Sequence, residues 1–314
     1  MHIDLKAKSL LTLCDYRPEE IRYLLDTAHD LKRQAKDEAD TRPARFAAKS
    51  LAIIFEKRST RTRCAFETAF AEEGGHPVFL SNQDIHLGAK ETVEDTARVL
   101  GRMFAAIAFR GYKQETAQTL AEYAGIPVYN GLTDTWHPTQ VLADLMTIEE
   151  EFGCGQKCKM VYLGDGRNNI ARSLAVGCAK MGLDLCIAAP GELEPGSDFL
   201  ALVRKMGKES GALIEVTAID GAAIEDADVI YTDVWVSMGE QQKEKQRLSI
   251  LRPYQVNRQL ISRLKKKQAI FLHDLPAVRG NEVTDDVIDG ERSRVWDQAE
   301  NRKHTIKALM LATI

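Results

Sequence analysis

Apolar positions along the 314-residue chain follow two alternating rhythms. From Pro18 to Lys36 the residues Ile21, Leu24, Leu25, Ala28 and Leu31 fall at helical spacing and share one face. The run from Leu51 to Phe55 is short and unbroken, the signature of a strand covered on both faces. Arg63 to Glu73 reads as a helix stopped by Gly74 and Gly75. Further strands are expected at Val78 to Leu80, Ala105 to Phe109 and Val128 to Tyr129. Helices are expected at Thr92 to Arg102, Glu115 to Ala124 and Thr139 to Phe152.

A second cycle starts with a strand at Lys159 to Leu163, the turn Gly164 to Gly166 and a helix running to Met181. Strands follow at Leu185 to Ala189, Leu213 to Val216, Val229 to Thr232 and Ala269 to Leu272. Helices are placed at Phe199 to Ser210, Ala222 to Ala227 and Pro253 to Lys267, with a last one at Asn301 to Ile314. Glu240 to Arg247 is polar and reads as a mobile segment that could act as a lid over a site. Lys265 to Lys267 reads as the basic end of a helix, which the helix dipole favours. Strand and helix in strict alternation predict an α/β fold: two doubly wound parallel-sheet domains joined by helices. The boundary falls inside or just after the helix at 139 to 152, giving domains 1–150 and 151–300. The C-terminal helix 301–314 is expected to pack back on the first.

Composition narrows the function. Hydrophobic residues make up 44% and charged residues 28%, a globular mix. A formal net charge of -4 argues against a general nucleic-acid or membrane-surface binder. No apolar run reaches transmembrane length, and the N-terminus lacks a signal-peptide pattern, so a cytoplasmic protein is expected. Six cysteines stand apart at 14, 64, 154, 158, 178 and 186, and read as reduced thiols with no metal or disulfide framework.

Against this acidic background one stretch is cationic. "FEKRSTRTRCAFE", residues 55 to 67, gathers Lys57, Arg58, Arg61 and Arg63 around Ser59, Thr60 and Thr62. It lies where a strand hands over to a helix. The first turn of a helix offers unpaired N–H groups and partial positive charge. With added hydroxyls and guanidiniums it becomes a phosphate cradle; the alternative is a solvated basic turn with an ordinary cap. Other polar groups stand at strand ends, where open parallel sheets bind ligands. They are Arg110, the helix-opening His137-Pro-Thr-Gln140, and His273-Asp-Leu-Pro276. "GDGRNN" at 164 to 169 carries Asn169 where a dinucleotide fingerprint wants glycine, which weakens a nicotinamide dehydrogenase reading. "DVWVSMGE" at 233 to 240 offers Asp233 to a substrate cation.

In order, "STRT", "FRGY", "HPTQVLADLMTI", "GDGRNN", "DVWVSMG" and "AENR" resemble the carbamoyltransferases, and "DVWVSMG" resembles the ornithine branch. The likeness runs from about residue 5 to the end. It implies carbamoyl transfer from carbamoyl phosphate to the side-chain amine of ornithine. It also implies a homotrimer or multiple of trimers and no metal or organic cofactor. Carbamoyl phosphate would bind on the first domain and the amino acid on the second. Ser59, Thr60, Arg61, Thr62, His86, Arg110, His137, Gln140, Leu275 and Arg302 would hold carbamoyl phosphate. Asn169, Asp233, Ser237, Met238 and Asp274 would hold ornithine, with Arg61, Arg110, His137 and Asp274 closest to the chemistry.

The chain departs from the family pattern twice. Asp274 stands where a cysteine is usual, and His86 where a glutamine is common. A carboxylate at 274 would weaken binding of a dianionic phosphate, or share with Asp233 the grip on a substrate ammonium. The alternatives it leaves are a carbamoyltransferase with another amine acceptor, or a homologue with little or no activity.

Overall fold

A computed structural model describes residues 3–36, 44–81, 83–85, 87–88, 90–219, 221–236 and 244–314. The chain forms two compact units: Met1–Met146 with Glu300–Ile314, and Thr147–Ala299.

The first unit holds β1 (Ser50–Phe55), β2 (His76–Ser81), β3 (Ala106–Arg110) and β4 (Val128–Leu132), all parallel, in the order β2-β1-β3-β4. Its helices are α1 (Pro18–Lys36), α2 (Arg61–Ala71), α3 (Val93–Met103) and α4 (Gln114–Ala124), with the start of α5 (Pro138–Phe152) and most of α12 (Val295–Thr313). Every residue of β1 after Ser50 is buried, as expected of a strand sandwiched by helices. One side of the sheet packs Ala52, Ile54, Ile107, Phe109 and Val128 against Ala97, Leu100, Ala117 and Leu120 of α3 and α4. The strict apolar runs thus follow from burial on both faces. Helix boundaries follow local chemistry: Thr92 caps α3 by accepting from the Asp95 N–H at 3.2 Å, and α4 ends at Gly125 with φ 68°. The end of α12 is tied in by Tyr129 and Thr313, whose hydroxyls lie 2.6 Å apart.

The second unit holds β5 (Lys159–Leu163), β6 (Asp184–Ala188), β7 (Ile214–Thr217), β8 (Val229–Thr232) and β9 (Ile270–Leu272), again all parallel, in the order β7-β6-β5-β8-β9. Around them lie α6 (Asn169–Met181), α7 (Ser197–Ser210), α8 (Gly221–Glu225), α9 (Glu244–Leu251), α10 (Arg258–Ile261) and α11 (Asp285–Ile288). The core joins Val161, Leu163, Ile230 and Phe271 of the sheet to Ile224, Leu260 and Val287 of these helices.

Strand order decides where ligands can enter. In the first sheet the chain runs outward from β1 to β2 on one side, then returns to β3 on the other. In the second it does the same about β5, with β6 on one side and β8 on the other. At such a switch point the loops leaving the two central strands diverge and open a crevice at their C-terminal ends. The crevices therefore lie after Phe55 and Arg110 in one unit, and after Leu163 and Thr232 in the other.

Three expectations change. The helix expected over 253–267 is broken. Val256 is instead extended, donating to the Glu282 carbonyl at 2.8 Å and accepting from Thr284 at 3.1 Å. Asn257 then caps the four-residue α10. Lys265 to Lys267 consequently do not end a helix: Lys265 pairs with Glu225 and Lys266 with Asp228, each at 2.8 Å. Part of the supposed mobile segment, residues 244–247, lies in α9, held by Arg247 on Asp165. Among the described residues no helix is long and apolar enough to cross a membrane.

Candidate active site

At the first switch point β1 stops at Phe55 and α2 begins at Arg61, with Thr60 as its N-cap. The Thr60 side chain makes no capping bond and is exposed. Ser59 Oγ accepts from the Thr62 N–H at 3.2 Å and shapes the turn. Arg61 is half-buried on the first turn, where the helix dipole adds to its charge. Arg63 is not part of this group. It faces Glu67 at 2.8 Å and stacks on the Phe79 ring.

The node of the site is Thr62, which is fully buried. Its Oγ1 accepts from Arg302 Nη2 at 2.9 Å and from Arg110 Nη1 at 3.3 Å. With both acceptor positions in use, its own hydroxyl proton is left to donate. Arg302 Nη1 also donates to Gln140 Oε1 at 2.8 Å and stands 3.4 Å from His137 Nε2. Gln140 is fixed in turn by donating to Asp144 Oδ1 at 2.9 Å. The crowding at Thr62 needs Gly131 on β4, since a Cβ there would lie 2.9 Å from Thr62 Cγ2 and 3.7 Å from Arg110 Cβ.

Electrostatics follow from this packing. Burial first, and then Arg302, Arg110 and Arg61, hold His137 well below its ordinary range, so the ring is neutral. With Arg302 facing Nε2, the ring proton belongs on Nδ1, toward Thr139 Oγ1 at 3.5 Å. Lys57, stacked over the Tyr112 ring at 4.4 Å, has its pKa lowered by burial and then by Arg110. Cations crowded until one another's protonation is suppressed form a site that an anion relieves.

At the second switch point the turn after β5 carries Asp165, which is pinned on both sides. Its Oδ1 accepts from the Arg167 N–H at 2.9 Å, and its Oδ2 faces Arg247 Nη1 at 2.5 Å. Asn168 caps α6, accepting from the Ala171 N–H at 2.7 Å. Its Nδ2 donates across the crevice to Asp233 Oδ2 at 3.0 Å, and to the Tyr162 hydroxyl at 2.9 Å. Asp233 also accepts from the Val234 N–H at 2.6 Å. The Asp233 and Asp274 carboxyl groups bring oxygens within 4.8 Å of one another, and Asp233 is held well above the usual carboxylate range by burial, then by Asp274 and Glu282. Leu275 follows in the left-handed region, with φ 60°.

Asp233, His273 and Asp274 place ligand-type atoms within 4.8 Å of one another. His273 nevertheless has both nitrogens engaged. Nδ1 accepts from the Leu275 N–H at 2.9 Å, and Nε2 faces Glu282 Oε1 at 3.3 Å. Only the two carboxylates remain to meet a cation.

Ser59, Thr62, Arg110, His137, Gln140 and Arg302 thus form one hydrogen-bonded cluster with Arg61 beside it, while Asp233 and Asp274 form another in the second unit. Asn169 is the first residue of α6, and it is the preceding Asn168 that reaches Asp233. The cap preference for asparagine just before a helix is the signal that singles out Asn168. Glu282 and Tyr162 carry no local sequence signal and enter through the fold. His86, Ser237 and Met238 lie outside the described residues. The six cysteines are free thiols.

Two family models cover nearly the whole chain. The aspartate/ornithine carbamoyltransferase carbamoyl-P binding domain matches residues 8–150, and the family's Asp/Orn binding domain matches residues 156–313. The ornithine carbamoyltransferase of Caldanaerobacter subterraneus is 62% identical over 314 residues, covering 100% of both chains. That of Thermotoga maritima is 59% identical over the same span, again with 100% of each chain covered. Among solved structures, ornithine carbamoyltransferase from Pyrococcus furiosus superposes with a TM-score of 0.95 at 46% identity, covering 99% of this chain and 98% of that one. Cradle, carboxylate cluster and full-length similarity converge: this chain belongs to the aspartate/ornithine carbamoyltransferase family.

Proposed function

We propose that the protein transfers the carbamoyl group of carbamoyl phosphate to the side-chain amine of ornithine, giving citrulline and phosphate. The observation that carries this is Thr62 bridging two guanidiniums at the open start of α2, beside a neutral histidine. The reaction needs donors aimed where negative charge develops, on the carbamoyl oxygen and the departing phosphate. Arg61, Ser59, Thr60 and the first N–H groups of α2 take the phosphate. Arg110 and the Thr62 hydroxyl take the carbamoyl oxygen, in a buried cluster where their charge counts for more than in water. His137, neutral, orients the carbamoyl group without adding to the cationic crowding, and Gln140 and Arg302 fix that ring in place. In the second unit Asp233, positioned by Asn168, takes an amino group of the acceptor. The attacking nitrogen is the substrate's own, so no side-chain nucleophile is required, and much of the rate comes from positioning.

The curated relatives at 59–62% identity bear the ornithine name, which favours ornithine over another amine acceptor. The family likeness extends the reading to a cytoplasmic homotrimer placed in citrulline and arginine metabolism. A nicotinamide role is disfavoured because Asn169 replaces the third glycine and Asn168 spans the second switch point to Asp233. The test is an acceptor screen with carbamoyl phosphate, ornithine, putrescine, lysine and N-acetylornithine, reading phosphate release. Release with ornithine, and citrulline as product, is expected. Release with another amine only, or with none, overturns the reading.

A further inference from the structure

One buried carboxyl cluster in the second unit has no Lys or Arg ion pair among the described residues. Asp233, Asp274 and Glu282 surround His273, and the Asp274 side chain is only 10% exposed. Among the described residues Asp274 Oδ1 has no hydrogen-bond partner; the nearest polar neighbour is His273 Nδ1 at 3.6 Å, whose lone pair is already taken by the Leu275 N–H. That nitrogen therefore carries no proton to offer. The other groups facing the pair are the Asn168 amide and the Val234 N–H on Asp233, and the buried Tyr162 phenol, held protonated by burial. None is a cation. Two buried carboxyl groups with oxygens within 4.8 Å of one another, and with no counter-charge among the described residues, can satisfy one another only if one of them carries a proton.

We propose that Asp233 and Asp274 share one proton in the resting enzyme and act together as the proton acceptor for the amine substrate. This rests on the carbamoyl-transfer reading above and goes beyond it. The acceptor enters with its side chain as an ammonium, and its charge displaces the shared proton to solvent. The now doubly ionised pair then takes one proton from that ammonium: an N–H bond breaks, an O–H bond forms, and the freed amine lone pair attacks the carbamoyl carbon. As the C–N bond forms and the C–O bond to phosphate breaks, the second amine proton goes to the leaving phosphate. The product urea is neutral, so the pair is left with its single proton, ready for another cycle. Over one turnover one proton reaches solvent and one leaves on phosphate, which balances ammonium and carbamoyl phosphate dianion against a neutral urea and monohydrogen phosphate.

This arrangement removes a conflict that a single fixed carboxylate creates. A permanently ionised partner holds the ammonium protonated and unreactive. A pair that repels its own second charge has a reason to take the proton back. Asp274, standing where the family usually has cysteine, is therefore assigned a catalytic role that depends on Asp233 beside it.

Two experiments decide it. In the unmodified enzyme, infrared difference spectroscopy should show the C=O stretch of a protonated carboxyl that vanishes when ornithine is added in the presence of phosphate. It should persist with 2-aminopentanoate, which lacks the side-chain amine. No such band in the resting enzyme overturns the proposal. Asp274→Asn keeps the shape and removes the base. Its kcat should fall by roughly 10²-fold or more, the usual weight of a general base. Its rate should then climb steeply with pH toward the free amine's own range, where the wild type levels off. A cooperative thermal unfolding transition near that of the wild type serves as the folding control. An Asp274→Asn enzyme with wild-type kcat and the same pH profile overturns the proposal while leaving ornithine carbamoyl transfer intact. A wild type that makes no citrulline sinks the underlying reading instead.

Discussion

Replacing Thr62 by valine isolates the node of the cradle. Valine matches threonine in shape, so the packing against Gly131 survives, but the hydroxyl is lost. Two guanidinium hydrogen bonds disappear, one at 2.9 Å from Arg302 and a longer one at 3.3 Å from Arg110. Bonds to charged groups are worth about 1.5–3 kcal/mol each, and the longer one belongs at or below the low end of that range. Stability should fall by about 2–4 kcal/mol in the unliganded protein. For binding, the lost item is the hydroxyl proton, which both guanidiniums leave free to donate to the substrate. One charge-assisted bond of about 1.5–3 kcal/mol corresponds to a roughly 10- to 150-fold rise in Kd. The assay is isothermal calorimetry with carbamoyl phosphate at a temperature where the variant is folded, with Thr62→Ser as the conservative control. Serine should recover most of the affinity. A valine variant that binds carbamoyl phosphate within twofold of wild type refutes the assignment of Thr62 as a substrate donor.

Three further outcomes follow from the same geometry. Arg61→Ala should raise the carbamoyl-phosphate Kd by about 100-fold, as expected for loss of a guanidinium–phosphate fork, with little change in melting temperature; calorimetry checks the first and thermal scans the second. Arg247→Gln should loosen the Asp165 turn that presents Asn168, raising the ornithine KM several-fold while leaving the carbamoyl-phosphate KM alone in steady-state assays. Burial chiefly lowers His304 from 6.5 to about 4, so the unfolded chain binds more protons than the folded one in that window. Its contribution to stability is full above pH 6.5 and declines toward pH 4. His137 acts in the same sense, whereas Asp233, raised from 3.8, loses its contribution as pH rises. Comparing His304→Asn with wild type by denaturant titration across this range isolates the histidine, and equal slopes for the two proteins would refute it.

The two parallel sheets were legible because strands buried on both faces must be continuously apolar, as in Leu51 to Phe55 and Lys159 to Leu163 after its first residue. The cradle was legible because its hydroxyls and Arg61 are contiguous at a strand–helix junction. Arg302 was not readable from local pattern: it lies 165 positions from the His137 it faces, and only the family likeness pointed to it. Asn168 was passed over for Asn169 because a cap and the first helical residue differ only in backbone state, which the letters do not carry. The helix expected over 253–267 failed for a tertiary reason. Val256 finds backbone partners at Glu282 and Thr284 that a helix would forbid, and those pairings outweigh local propensity. Lys265 and Lys266, stranded outside any helix, then pair with Glu225 and Asp228 rather than with a dipole.

The central claim is that the junction between β1 and α2 holds carbamoyl phosphate. A crystal structure with that substrate bound tests it most directly. Phosphate oxygens should lie within about 3 Å of Arg61 and the first N–H groups of α2, with the carbamoyl oxygen in hydrogen-bonding range of Arg110 and the Thr62 hydroxyl. Phosphate seated instead on the turn after β5, or a cradle left empty at saturating substrate, would contradict it.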